Sequence, residues 1–199
     1  MIRFAIFAAM KRASLLIALI VVGAPLFAQS TEFGVIVGGS RRMVDIGQRE
    51  PGVQWLDSKF NFSNSSVELF WGMQMDEDTW FKLKVGRIET QIAEAYNITG
   101  TSGTFRRDAE GEVQHIDALA EYRFAEPYGS TSIFGGIGLY RQSADGLAST
   151  NNFGLTAGVN GDFPITRRYG IVIEGAYHFT NADFRPRYMT VGGGLRLSF

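Results

Sequence analysis

An alternation of apolar and polar residues with a period of two constrains this chain more than any other feature of its sequence. It is carried by about eight segments, near residues 32–41, 66–75, 80–89, 113–124, 131–141, 152–163, 168–180 and 188–199. In the last of them Met189, Val191, Leu195, Leu197 and Phe199 share one face, and Thr190, Gly192, Gly194, Arg196 and Ser198 the other. The segment before it sets Ile171, Ile173, Tyr177 and Phe179 against Val172, Glu174, Ala176 and His178. Each segment is about ten residues long, the length a tilted strand needs to cross a bilayer. After residue 28 no apolar run reaches 18 residues, so nothing beyond that point can cross as a helix. The pattern predicts an all-β fold, an eight-stranded antiparallel up-and-down barrel. In segment 80–89 the alternation holds only to Gly86, since Arg87 and Glu89 then fall on the apolar face, which predicts a bulge or a membrane exit.

The connections alternate in length. Residues 76–79, 125–130 and 164–167 read as short turns, whereas 42–65 and 90–112 read as long polar loops, with 142–151 and 181–187 between them. Short turns on one rim and long loops on the other is the layout of a transmembrane barrel. An even strand count puts both termini on the short-turn rim.

Alternation alone does not say which face is enclosed, and a soluble lipocalin-like carrier would show the same period. Three features favour lipid around the apolar face. Ten glycines, among them Gly86, Gly136, Gly138 and Gly194, share the polar face, where they make room inside a narrow barrel. Aromatic residues gather near the segment ends (Trp71, Trp80, Tyr122, Phe124, Tyr140, Phe153, Phe163, Tyr169, Phe179, Tyr188 and Phe199), as interfacial girdles require. The polar face carries charges of both signs, Glu68, Lys82, Lys84, Glu121, Arg123, Glu174 and Arg196, which inside a barrel must pair. Glu174 with Arg196, and Glu68 with Lys84 on the diagonal, are the pairs expected.

The N-terminus reads as an export signal over residues 1–28, with Lys11 and Arg12 basic, Ala13 to Val22 apolar, and Leu26-Phe27-Ala28 as the cleavage site; Met10 is an alternative start to Met1. The barrel then spans 29–199. Of 19 basic residues three lie in the signal, leaving 16 against 20 acidic ones, a balance with no footprint for nucleic acid. The chain has no Cys, which removes disulfides, thiolate chemistry and a lipoprotein anchor, and its two histidines give no expectation of a metal site. No cofactor is expected.

The eight segments, the mixed charges of the polar face and the ending Gly-Leu-Arg-Leu-Ser-Phe resemble the outer-membrane β-barrel families related to the transmembrane domain of outer membrane protein A. The resemblance implies location in a cell outer membrane. It also implies that Leu195, Leu197 and Phe199 serve as the signal read by the barrel assembly machinery. The partners such a location implies are outer-membrane lipids including lipopolysaccharide, with that machinery and periplasmic chaperones during biogenesis, and a monomer is expected.

One string bears on chemistry. His178-Phe179-Thr180-Asn181-Ala182 is similar to the His-x-Ser-Asn segment of lipid A deacylases, but Thr180 stands in place of Ser, no acid follows in the last segment, and parity turns His178 inward. The Asn-x-Ser/Thr triplets at Asn61, Asn64 and Asn97 carry no chemistry in a bacterial export context, Gly192-Gly193-Gly194 has no helix after it, and Asp76-Glu77-Asp78 reads as a solvated turn. The function expected is therefore a non-enzymatic outer-membrane barrel with a structural or adhesion-type role and no open pore. The alternatives are a deacylase-like esterase and a soluble lipocalin-like carrier.

Overall fold

The computed structural model describes residues 30–43, 53–54, 64–97, 104–144, 149–181 and 187–199. The segment read as an export signal lies outside them. The strands are β1 (Thr31–Met43), β2 (Val53–Gln54), β3 (Asn64–Gln74), β4 (Thr79–Asn97), β5 (Thr104–Glu126), β6 (Gly129–Ala144), β7 (Thr150–Pro164), β8 (Tyr169–Thr180) and β9 (Arg187–Ser198). All pairings are antiparallel between neighbours in sequence, save that β1 pairs with both β3 and β9 and that β2 adds to β4. With the β4–β5 ladder in place, the eight long strands close into one barrel without a free edge in the ring. Among the described residues no helix is long and apolar enough to cross a membrane.

Closure falls between the first and last strands. Glu32 stands opposite Ser198, Thr31 N donates to Phe199 O (3.3 Å) and Phe199 N to Thr31 O (2.9 Å). That rim also holds three tight turns. At residues 75–78 Met75 N bonds Thr79 O (2.9 Å); Pro127 and Tyr128 form a two-residue link; and at 165–168 the Thr166 hydroxyl accepts from Tyr169 N (3.0 Å).

The barrel is inside out relative to a soluble protein. Along β8, Ile171, Ile173 and Phe179 are exposed while Val172, Glu174, Ala176 and His178 are buried. Among the described residues 25 large hydrophobic side chains are exposed, whereas 18 polar or charged ones are buried. At about 1.5–3 kcal/mol per exposed apolar side chain, the outer face would cost tens of kcal/mol in water, so its solvent is acyl chain. The lipocalin-like alternative, with its oily face inward, is thereby removed.

The wall is tightly packed where glycine lines it. A Cβ on Gly194 would lie 1.9 Å from Val35 O, and one on Gly136 2.0 Å from Ala118 O, so neither site tolerates any side chain. The lumen is filled by small apolar clusters (Ile36, Phe70 and Val172; Leu119, Phe134 and Ala176; Ile88, Val113, Tyr140 and Tyr188) set among the charges.

Two expectations change. The run 90–112 is mostly strand: the β4–β5 ladder continues unbroken past Gly86↔His115 to Asn97↔Thr104, which makes β4 19 residues long and β5 23. No bulge interrupts it at Arg87. The exposed Arg87 and Glu89 instead mark the exit from the lipid belt, where Arg87 pairs with Glu89 (3.5 Å) and Glu112 (3.0 Å). Secondly, Trp80, Tyr140 and Tyr188 are not girdle residues. They are buried in the lumen, whereas Tyr122, Phe124, Phe163, Tyr169 and Phe199 form the exposed belt near the turn rim.

Candidate functional site

The lumen is the chemically distinctive part of the molecule. Three layers follow from strand register.

Near the turn rim, Glu32 on β1 accepts from Lys82 (3.3 Å) and Arg123 (2.5 Å), and Glu121 accepts from the same two cations (2.5 and 2.6 Å). Asn160 Nδ2 donates to Glu121 (3.3 Å), and the Arg123 guanidinium lies 3.8 Å from the Trp80 ring centroid, where its charge meets the π-face. Arg196 bridges Asp162 (2.6 Å). Outside this layer a vestibule of about 650 Å³ opens at the rim, lined in part by Arg123, Asp162 and Arg196.

In the middle, Lys84 on β4 is fully enclosed and bridges Glu68 (3.1 Å) and Glu174, with its ammonium 4.7 Å from the Phe134 ring centroid. Thr190 extends the network by donating to Glu68 at 3.5 Å.

Toward the opposite rim hydroxyls and imidazoles predominate, gathered around the buried carboxyl of Asp117. His115 Nδ1 lies 2.8 Å from Asp117 Oδ2, the Tyr140 hydroxyl 2.5 Å from Thr156 Oγ1 and 3.1 Å from His178 Nδ1, and His178 Nε2 3.4 Å from Thr190 Oγ1. The His115 and Tyr140 rings stack at 5.7 Å, and Ile88, Val113 and Tyr188 close the lumen above them.

Of the residues chosen from sequence, Glu68, Lys82, Lys84, Glu121, Arg123, Glu174 and Arg196 all line the lumen, and Glu68 and Lys84 sit on a diagonal, since Glu68 faces Gly86 and Lys84 faces Phe70. The pair Glu174–Arg196 is corrected. Glu174 stands opposite Gly192, and Arg196 lies four residues further along β9, roughly 13 Å at 3.3 Å per residue, so each finds another partner. Glu32, His115, Asp117 and Asp162 belong to the lumen and were not picked out as members of a network, although their strand parity carries the signal. Leu195 and Leu197 end β9 next to β1 and Phe199 follows it, with Leu195 and Phe199 exposed on the apolar face. His178 is enclosed, its ring turned to the lumen and away from the lipid face on which a deacylase acts.

No protein-family model matches the chain, and no curated protein sequence matches it. Solved structures do. Neisserial surface protein A superposes with a TM-score of 0.57 at 16% identity, covering 85% of this chain and 97% of that one. Ail, the attachment invasion locus protein of Yersinia pestis, solved with the heparin analogue sucrose octasulfate, gives 0.54 at 16% identity, covering 85% and 98%. At this identity the likeness is one of fold. The chain is a small transmembrane β-barrel of the outer-membrane type. Its apolar belt, its enclosed charges and that shared fold together locate it in a bacterial outer membrane.

Proposed function

We propose that the protein is a non-enzymatic outer-membrane barrel that presents a β-platform outside the membrane for contact with other surfaces, an adhesion-type or structural role. The observation that carries this reading is the length of the β4–β5 hairpin. About ten residues per strand cross the belt, yet β4 and β5 remain paired to Asn97 and Thr104, on the rim opposite the termini. Val53 and Gln54, from the first connection on that same rim, pair with Tyr96 and Ala95 of β4. Two connections that are far apart in sequence thus join in one three-stranded surface beyond the lipid. Backbone ladders of this kind give a rigid platform at low ordering cost on binding. The attachment named for the Yersinia pestis barrel is a property of that protein, and the shared fold supports asking the same of this surface.

A non-adherent bacterium displaying the full chain is expected to attach to a matrix-coated surface. A variant in which residues 89–112 are replaced by a tight turn should keep the heat-modified gel mobility of a folded barrel and lose attachment. Equal attachment by both would remove the reading. The packed lumen supports a barrel without a pore, so planar bilayers holding the protein should show no large stable conductance.

The same location supplies the partners in this proposal. Lipopolysaccharide and other outer-membrane lipids bathe the belt of a monomeric barrel, periplasmic chaperones carry the chain, and the assembly machinery reads Leu195, Leu197 and Phe199. Phe199→Ala should lower the fraction of assembled, heat-modifiable protein in membranes.

A further inference from the structure

One group of lumen side chains stands outside the ion-pair network. His115 and Asp117 project from β5, and His178 projects toward them from β8 across the barrel. One donor atom of each lies within 4.8 Å of the others, and all three residues are buried. We propose that His115, Asp117 and His178 form a binding site for one divalent transition-metal ion of the zinc class, which braces β5 to β8 through the lumen.

Four observations carry this. The donor set is two imidazoles and one carboxylate, which suits Zn²⁺ and its borderline neighbours and leaves a fourth position for water or for the adjacent Tyr140 hydroxyl. The spacing also suits it. Metal–ligand bonds of about 2.0–2.1 Å in tetrahedral geometry put donor atoms about 3.3 Å apart. The distances from Asp117 Oδ2 to His115 Nδ1 and to His178 Nδ1, 2.8 and 4.0 Å, lie on either side of that value. The two imidazole donors fall within the 4.8 Å that encloses the whole set.

The charge of the lumen points the same way. Among the described residues six carboxyl groups are buried there (Glu32, Glu68, Asp117, Glu121, Asp162 and Glu174), and Lys82, Lys84, Arg123 and Arg196 bridge five of them. The sixth, Asp117, has the imidazoles of His115 and His178 as its ion-pair partners, and a dication held there would supply that buried carboxylate with its countercharge. Finally, the wall is shaped around the group. Asp117 Oδ1 and His115 Nε2 have no hydrogen-bond partner among the described residues. A Cβ on Gly138 would come within 1.9 Å of the first, and one on Gly86 within 2.2 Å of the second, so glycine at both positions makes the room these side chains occupy. Thr190 Oγ1, 3.4 Å from His178 Nε2, is placed as the outer support that metal-binding histidines use, with Nδ1 3.1 Å from the Tyr140 hydroxyl and 4.0 Å from Asp117 Oδ2.

The test uses the full barrel, assembled and purified in detergent, dialysed against Zn²⁺ and then against metal-free buffer. One Zn²⁺ per chain should remain, and Co²⁺ should give visible d–d absorption that Zn²⁺ displaces. Asp117→Asn and His178→Gln should each weaken binding at least as much as loss of an outer-shell partner does, about 10–100-fold, while Arg87→Ala, outside the lumen, keeps it. Should the ligand variants fail to assemble, Cu²⁺ bound to the wild type should show nitrogen hyperfine splitting from two imidazoles. A wild-type barrel that retains no metal, ligand variants that bind as well as wild type, or Cu²⁺ without imidazole nitrogen would each overturn the site and leave a metal-free hydrogen-bonded group.

Discussion

Near the rim that holds both termini the lumen is closed by permanent charges, with Glu32 and Glu121 sharing Lys82 and Arg123 and Asp162 bound to Arg196, whereas toward the opposite rim Tyr140, Thr156, His115 and His178 close it with hydroxyls and imidazoles. Lys84 stands at the border and serves two carboxylates at once. The difference bears on how each half holds together. In a medium shielded from water an ion loses several kcal/mol of hydration and recovers it only from its partners, so each charge in the ionic half depends on all the others. A neutral hydroxyl that loses a partner costs about 1–3 kcal/mol. The ionic half should therefore respond steeply to single substitutions, and the hydroxyls of the other half gently.

Lys84→Met should have the largest effect, because it leaves Glu68 and Glu174 facing each other without a cation. Breaking a buried pair in this way costs about 3–5 kcal/mol, read as a shift of the urea unfolding midpoint followed by tryptophan fluorescence in micelles. Adding Glu68→Gln and Glu174→Gln to it should restore most of the loss, since the harm lies in the unpaired charges. If the triple variant is no better than Lys84→Met alone, the ionic account of the middle layer is wrong.

Tyr140→Phe comes next. It removes the hydroxyl next to Thr156 and His178 and should cost about 1–2 kcal/mol by the same unfolding measurement. A loss as great as that of Lys84→Met would erase the contrast between the halves. Arg87→Ala is the smallest. Its partners Glu89 and Glu112 lie beyond the belt in solvent, so about 0.5 kcal/mol or less is expected.

Sequence made the barrel legible because its signal is local: each strand repeats a two-residue alternation, and the glycine-and-charge face turned out to be the enclosed one. Pairing was harder to read. Glu174 and Arg196 lie on neighbouring strands with the right parity, but register is a property of two strands and their turn, and it separates them by four residues along β9. Parity already put Tyr140 in line with Phe134 and Gly138, yet proximity to a segment end suggested a girdle; the belt is narrower than the strands, so a residue at a strand end can still point into the lumen. The extent of the β4–β5 hairpin was hidden because residues 90–112 are too polar for the membrane pattern, and a ladder above the lipid needs no apolar face. His115 and His178 come together across three strand-to-strand steps, β5 to β8, which no spacing in the sequence reveals.

The polarity of the wall can be tested directly because the chain has no native Cys, so single-cysteine spin-label variants carry one probe each. Labels at Ile137, Leu155, Ile173 and Leu195, in protein reconstituted into bilayers, should collide with dissolved oxygen and be shielded from a water-soluble nickel chelate, while a label at Glu89 should show the reverse. Labels at Ile173 and Leu195 that are open to the chelate and closed to oxygen would contradict an acyl-facing belt.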